Sequence, residues 1–383
     1  MENKVLNLDK SSWVLTKLGD LAKDISKRVD NPGVSEYDRF VGLGNFVSGD
    51  IKIKTWETTE NLVSSAKAFQ AGDILFARRN AYLRRASLVD FDGCCSGDAF
   101  VLRENHDKVV PGFLAFLMNS NALWDYANSN AAGTMSKRVK WRDLAKYEFL
   151  LPPKDQQAQL AKLLWAMDQV IEKEDELLDK LKIQSLVEES CIFNNERNLR
   201  LKDVIVRTLS GGTPNTKKLE YYSDGEIPWI TTKILDADRI GIGEKLITQQ
   251  AVSESAAKLL LKGNIVAGTR VGVGKFAIND VDISFSQDIT GLEINNDVID
   301  VDFLIHQLNS SVFQENIKPF LRGTTIKGIT KDDLLSLKIY NPSFDEQKNI
   351  KDKVQSIKNS IMNLECKIKT SQSLQKSLIN QVF

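Results

Sequence analysis

The sequence predicts an α+β protein built twice over: two globular domains separated by two long antiparallel coiled-coil helices, with a pseudo-two-fold internal repeat. Three observations predict it. The chain repeats itself at an offset of 190 residues, each repeat ends in a long stretch with helical apolar spacing, and those two stretches carry opposite net charge.

The repeat shows first in "AAGTMSKRVKW" (131–141) and "LRGTTIKGITK" (321–331), where Gly133-Thr134 meets Gly323-Thr324 and Lys137 meets Lys327. The same offset aligns Ser96 and Asp98 with Ser286 and Asp288, and Asn119-Ser120 with Asn309-Ser310. It also aligns Asp143-Leu144 with Asp333-Leu334, Pro152 with Pro342, Asp155 with Asp345 and Gln157 with Gln347. Upstream, "AGDILFARR" (71–79) resembles "KGNIVAGTR" (262–270) at offset 191, and "KLGDL" (17–21) resembles "RLKDV" (200–204) at offset 183. A single Gly-Thr match would be chance. A gapless register from Ser96 to Gln157 indicates duplicated domains whose loops differ in length. Gly133 and Gly323 are expected to permit a turn in each copy.

The long helices follow from apolar spacing. After "LLPPKDQ" the apolar positions are Leu160, Leu164, Met167 and Ile171, then Leu178 and Leu181; after "YNPSFDEQ" they are Ile350, Val354, Ile357, Ile361, Leu364 and Ile368. Steps of four and three alternate, as in a coiled-coil seam. Glu174 interrupts the first seam where Leu364 continues the second. No Gly or Pro interrupts 155–197 or 343–383, and a proline precedes each stretch where a helix start tolerates it. Helices of this length run about 55 Å. Residues 155–198 hold 5 basic and 10 acidic side chains, whereas 343–383 hold 7 and 4, so the two seams suit each other as partners. A pseudo-two-fold relation makes the pair antiparallel. The expected segments are a first domain at 1–152, a central helix at 153–197, a second domain at 198–342 and a C-terminal helix at 343–383.

Within each globular part, "GDILFARR", "GNIVAGTR" and "IPWITTKI" read as strands. "PGFLAFLMNSNALWDYANS" and "VDFLIHQLNSSVFQENI" read as amphipathic helices. Strands and helices do not strictly alternate, which is the α+β pattern.

Several functions are disfavoured. No apolar run approaches the ~20 residues of a membrane span. "MENKVLNLDKSSW" has no basic-then-apolar leader pattern, so the expected compartment is the cytoplasm. The four cysteines, Cys94, Cys95, Cys191 and Cys366, form no CxxC pair and read as free thiols; with only two histidines, no metal site is expected. "NPSF" (341–344) has the look of an amino-methyltransferase motif, but its repeat partner is the "LPPK" junction and no glycine-rich cofactor loop precedes it. "GTRVGVGKF" (268–276) lacks phosphate-loop spacing and carries Phe276 where Ser or Thr would meet magnesium. No catalytic constellation stands out, and the chain reads as non-enzymatic.

At this point the sequence resembles the specificity subunit of type I restriction-modification systems. "LSGGTPNTKKLEYYSDGEIPWITT" (209–232) and "RGTTIKGITKDDLLSLKIYNPSFDEQ" (322–347) carry the likeness in the second half; "WVLTKLGDL", "GDILFARR" and "LLPPKDQQ" carry it in the first. The resemblance implies target-recognition domain, long helix, second target-recognition domain and second long helix. The family's double proline before the second helix is Asn341-Pro342-Ser343 here, and its Glu-Gln pair is Gln156-Gln157 in the first copy. The resemblance further implies a bipartite DNA target, two half-sites around a fixed spacer. It implies two docked methyltransferase subunits that carry S-adenosylmethionine, no cofactor in this chain, and a restriction/translocase subunit that can join.

Candidate DNA contacts come from basic clusters interleaved with aromatics. In the first domain these are Arg78, Arg79, Arg84 and Arg85 around Tyr82, and Lys137, Arg138, Lys140 and Arg142 around Trp141. In the second they are Lys217, Lys218, Lys233, Arg270, Lys275, Arg322 and Lys327. Clustered cations suit phosphates, and arginine can also bond guanine edges. The plainer reading of any one lysine is a solvated surface. A net charge of zero disfavours a freestanding non-specific DNA binder. The other functional reading of the whole chain is a coiled-coil scaffold that joins proteins without touching DNA.

Overall fold

The computed structural model describes residues 8–133, 136–195, 197–323 and 327–383, divided between two units. One holds the chain up to Glu176 together with Glu365–Phe383; the other holds Leu177–Leu364. Each long helix therefore contributes one half to each unit. Thr134 and Met135 of the first Gly-Thr motif, and Thr324, Thr325 and Ile326 of the second, lie outside the described residues. So do Glu196 and the first seven residues, which begin the stretch read above as lacking a leader pattern.

In the first unit, Val14–Lys17 pairs antiparallel with Glu148–Leu151, so the strand that opens the globular part lies beside the one that closes it. A four-stranded sheet runs in the order Ala22–Asp24, Ala99–Glu104, Ile74–Ala77, Ala86–Leu88. A five-stranded sheet runs Arg28–Val29, Ala66–Phe69, Gly93–Cys95, Arg39–Val41, Glu57–Thr58. Strand Ile74–Ala77 is buried along its whole length, which explains its continuous apolar run. Its "AGD" lead-in turns at Gly72, where φ is +92°. Phe76 stacks on Trp124 at 4.5 Å and on Phe100 at 6.0 Å, fixing helix Asn121–Ser129 to the sheet.

The second unit repeats the plan. Leu199–Arg200 pairs with Lys338–Ile339. Its five-stranded sheet runs Ile205–Ser210, Ile289–Ile294, Ile265–Gly268, Phe276–Asn279, Arg239–Ile240. The strand register is preserved between copies: Leu75 faces Val101 in the first, and Val266 faces Gly291 in the second. Ser120 and Ser310 both cap the helix that follows. "IPWITTKI" is a strand only over Ile227–Ile230. A short turn over Thr232–Ile234 follows, because the Thr231 hydroxyl accepts from the Lys233 N–H and ends the extended run.

The central helix spans Lys154–Phe193 and the C-terminal helix Phe344–Val382. In the first unit they run antiparallel: Gln375 Nε2 donates to Asp168 Oδ1 at 3.2 Å, and Lys367 Nζ lies 3.2 Å from Glu174. In the second unit Lys353 Nζ lies 3.0 Å from Glu188, in the same sense. The helix ends also complete the globular cores. Leu160 and Leu164 join Leu378, Ile379 and Val382 in the first core, while Phe193 is part of the second, with Ile350 packed against it. Of the predicted seam, Leu160, Leu164, Ile171, Val354, Leu364 and Ile368 are buried; Met167, Leu178, Leu181, Ile350, Ile357 and Ile361 are half-buried. All four cysteines are free. No helix among the described residues is long and apolar enough to cross a membrane.

Candidate nucleic-acid interface

In the first unit the residues that follow the Gly-Thr motif, Lys137 to Val139, pair with the residues just past strand Ile74–Ala77. Arg138 bridges both Arg79 and Ala132, Val139 N–H donates to Arg78 O at 2.9 Å, and Asn80 N–H donates to Lys137 O at 2.9 Å. Gly133 has φ at +124° and Gly323 has φ at +105°, left-handed backbone that favours glycine in both copies. Two basic stretches some sixty residues apart in "ARRNAYLRR" and "SKRVKW" are thereby brought side by side.

Asp98 is the carboxylate they share. Arg138 donates to it through Nε at 3.0 Å and Nη2 at 3.3 Å. Arg78 Nε lies 3.7 Å away and Arg79 Nη1 3.6 Å, while Arg79 Nε donates to Ser136 Oγ at 2.7 Å. The Arg138 hydrogen bonds, with Arg78 and Arg79 adding their fields, hold the Asp98 carboxyl below the usual carboxylate range despite partial burial. Arg78 also packs its guanidinium 5.7 Å from the Phe100 ring centre.

The second unit builds the counterpart from different side chains. Arg322 bridges Gly328, Ile329 N–H donates to Thr269 O at 2.9 Å, and Thr269 N–H donates to Asp288 O at 2.9 Å. These enclose an open cavity of about 660 Å³ whose wall includes Arg270, Arg322, Lys331, Gln287, Thr269 and Thr290. Arg322 Nη2 bonds Asp333 at 2.9 Å. Gly272, near Arg270, sits against Thr232: a Cβ there would lie 3.2 Å from the threonine Cβ, so the Lys233 turn stands beside the Arg270 loop.

The remaining candidates are placed as follows. Tyr82, Lys137 and Lys140 are exposed on the first domain, beside the arginine cluster or on its loop. Arg84 has left-handed backbone (φ +49°) and directs its guanidinium to Asn121 and Asp125; Arg85 donates inward to Leu43 O at 2.8 Å. Lys275 pairs with Asp236, Lys218 with the Tyr221 hydroxyl at 3.0 Å, and Lys217 and Lys327 are exposed. Neither Lys217, Lys218 nor Lys275 lines the second cavity. Asp98, Ser136, Gln287, Thr269 and Thr290 carry no positive charge, so the pattern of cations in the sequence does not single them out. The repeat register did mark Asp98 and Asp288, but a carboxylate looks unpromising for DNA until the arginines are seen around it.

Two homologous α+β domains, each with a cation-bearing loop at a sheet end and a share of an antiparallel helix pair, define a duplicated recognition protein. The comparisons agree. The profile of the type I restriction modification DNA specificity domain matches residues 10–182 and again residues 196–371. The chain belongs to that family. It is 31% identical over 154 residues to the type I restriction enzyme MjaIX specificity subunit of Methanocaldococcus jannaschii, covering 39% of this chain and 35% of that protein. The MjaVIII specificity subunit of the same organism is 23% identical over 95% of this chain and 90% of its own. Among solved structures, the HsdS subunit from Thermoanaerobacter tengcongensis superposes with a TM-score of 0.51 at 21% identity, covering 100% of this chain and 99% of that one. The type I restriction-modification S subunit from M. genitalium superposes with a TM-score of 0.59 at 14% identity, covering 99% and 98%. The match to the MjaIX subunit spans about a third of that protein's length.

Proposed function

We propose that this chain is the DNA-reading subunit of a cytoplasmic type I restriction-modification complex and recognises a bipartite target. Each globular domain reads one short half-site, and the helix pair sets the spacer between them. The observation that supports this most directly is the duplicated loop arrangement. Arg78, Arg79 and Arg138 in one unit, and Arg270 and Arg322 in the other, stand at equivalent ends of equivalent sheets. Arginine there can bond guanine edges in the major groove, with flanking Lys137, Lys140, Lys233 and Lys327 on phosphates.

Methyltransferase subunits, two by the symmetry of the repeat, dock on the chain and bring S-adenosylmethionine; a translocase subunit completes a restriction complex. The central helix exposes apolar side chains in each unit that suit such docking. Leu163, Val170 and Leu177 recur at heptad spacing and are 39%, 50% and 49% exposed, and Leu186 and Val187 extend the apolar surface. These exposed apolar side chains also suit the second reading, a coiled-coil scaffold with no DNA contact. Selection of bound duplexes from a random library, with purified methyltransferase partner present, separates the two. The DNA-reading chain enriches two fixed half-sites around a constant gap; the scaffold enriches nothing.

A further inference from the structure

We propose that Asp98 is a positioning residue that sets the sequence discrimination of the first domain. It holds Arg78, Arg79 and Arg138 as one preorganised fan for a guanine-bearing half-site. This rests on the DNA-reading function proposed above.

The cluster has the wrong stoichiometry for a neutralising salt bridge. Three guanidinium groups meet one carboxylate, so the cluster keeps a positive charge. The contacts also leave donors unspent. Among the described residues only Arg138 hydrogen-bonds the Asp98 carboxylate; the Arg78 and Arg79 guanidinium groups stand at 3.7 and 3.6 Å, ion-pair distances beyond a good hydrogen bond. The roots of the fan are fixed as well: Arg78 N–H donates to Asp98 O at 3.0 Å, and Arg79 and Arg138 face each other across a backbone bridge. Readout by guanidinium groups requires this kind of fixed geometry, because a free arginine must give up rotamer freedom on binding.

The second domain lacks the device. Among the described residues, the Asp288 carboxylate makes no hydrogen bond or ion pair, and Arg270, the counterpart of Arg79, has no ion pair either. Only the Asp288 main-chain oxygen is used. The two domains therefore share a backbone plan but differ in how firmly their cations are held.

The test uses the full chain with its methyltransferase partner, as wild type, D98N, D98E and D288N. Binding is measured to the selected duplex and to duplexes with a G·C to A·T change in either half-site, over a range of salt. D98N should lose about tenfold in discrimination at the first half-site, where one bidentate guanine contact is worth about 5- to 150-fold. Its salt dependence should steepen by about one phosphate's worth, since freed arginines turn to phosphates. D98E should recover much of the discrimination, and D288N should leave the second half-site unchanged. If D98N discriminates and responds to salt like the wild type, or D98E fails as D98N does, Asp98 has no positioning role. A first half-site without guanine also overturns the inference while leaving DNA reading intact. A wild-type complex that prefers no half-site overturns the DNA reading itself, and this inference with it.

Discussion

Gln157 and Gln347, 190 residues apart in sequence, make the same two hydrogen bonds in their respective units. Gln157 accepts from Val110 N–H at 3.0 Å and donates to Pro152 O at 2.8 Å; Gln347 accepts from Asp300 N–H at 2.8 Å and donates to Pro342 O at 2.9 Å. Both side chains are almost fully buried. Each glutamine thus ties the first turn of a long helix to the globular part it leaves. Replacing either by alanine leaves a partly buried backbone N–H without its partner and should cost about 1–3 kcal/mol. Because the two sites share no partner, Q157A and Q347A should lower stability additively in denaturant unfolding.

Glu174 supplies a second prediction. It is buried at an apolar seam position, where the repeat partner is Leu364. Lys367 Nζ approaches to 3.2 Å, yet neither Glu174 oxygen makes a well-formed hydrogen bond. A buried carboxylate with one imperfect partner gains little from Coulomb attraction after desolvation. E174L copies what the second seam already does and should raise stability by about 1–4 kcal/mol in thermal or chemical unfolding. K367M alone should lower it, because it leaves the carboxylate buried without its cation.

A third prediction concerns pH. Lys358 Nζ lies 3.3 Å from Nδ1 of the buried His306. An ammonium can only donate, so Nδ1 must accept and the imidazole is neutral, with its proton on Nε2. Burial, helped by the Lys358 charge and opposed by Asp238 at 3.7 Å, pushes the His306 pKa down to about 4 from 6.5. The unfolded chain then binds the extra proton between those values and the folded chain does not. The His306 contribution to stability should therefore be full above pH 6.5 and be lost as pH drops towards 4, by on the order of 2–3 kcal/mol. H306Q should flatten that part of the stability profile, and the imidazole resonances should titrate near pH 4.

The duplicated plan and the seam were legible because both are periodic: a 190-residue register and a four-three apolar alternation survive without any knowledge of loops. Side-chain partners were not. Arg84 and Arg85 share a cluster with Arg78 and Arg79 in sequence, but the left-handed backbone at Arg84 turns the chain, and both guanidinium groups end on protein oxygens. The charge of the long helices was read only as a mutual attraction. In the first unit, Lys52 Nζ also bonds Glu172 at 3.0 Å and Lys54 Nζ reaches Asp175 at 3.4 Å, so part of that acidity holds the globular part. In the second unit the sense is inverted: Asp238 accepts from Lys358 at 2.6 Å, at the repeat position where the central helix carries Asp168. Such a swap leaves the apolar pattern untouched and is invisible to periodicity.

The helix pair as spacer gauge gives the last prediction. The ion pairs Glu174–Lys367 and Glu188–Lys353 fix the antiparallel register. Deleting 176–182 together with 359–365 removes one heptad from each helix, keeps both ion pairs, spares Lys358 and its bond to Asp238, and preserves the phase of the seam. It shortens the pair by about 10 Å at 1.5 Å per residue, which is about three base pairs at 3.4 Å per step. Duplexes selected by the shortened complex should keep both half-sites, since Arg78, Arg79, Arg138, Arg270 and Arg322 are untouched, and should carry a gap about three base pairs smaller. If the complex still folds and selects the original gap, the helices do not set the spacer, and the distance between half-sites must come from the methyltransferase partners instead.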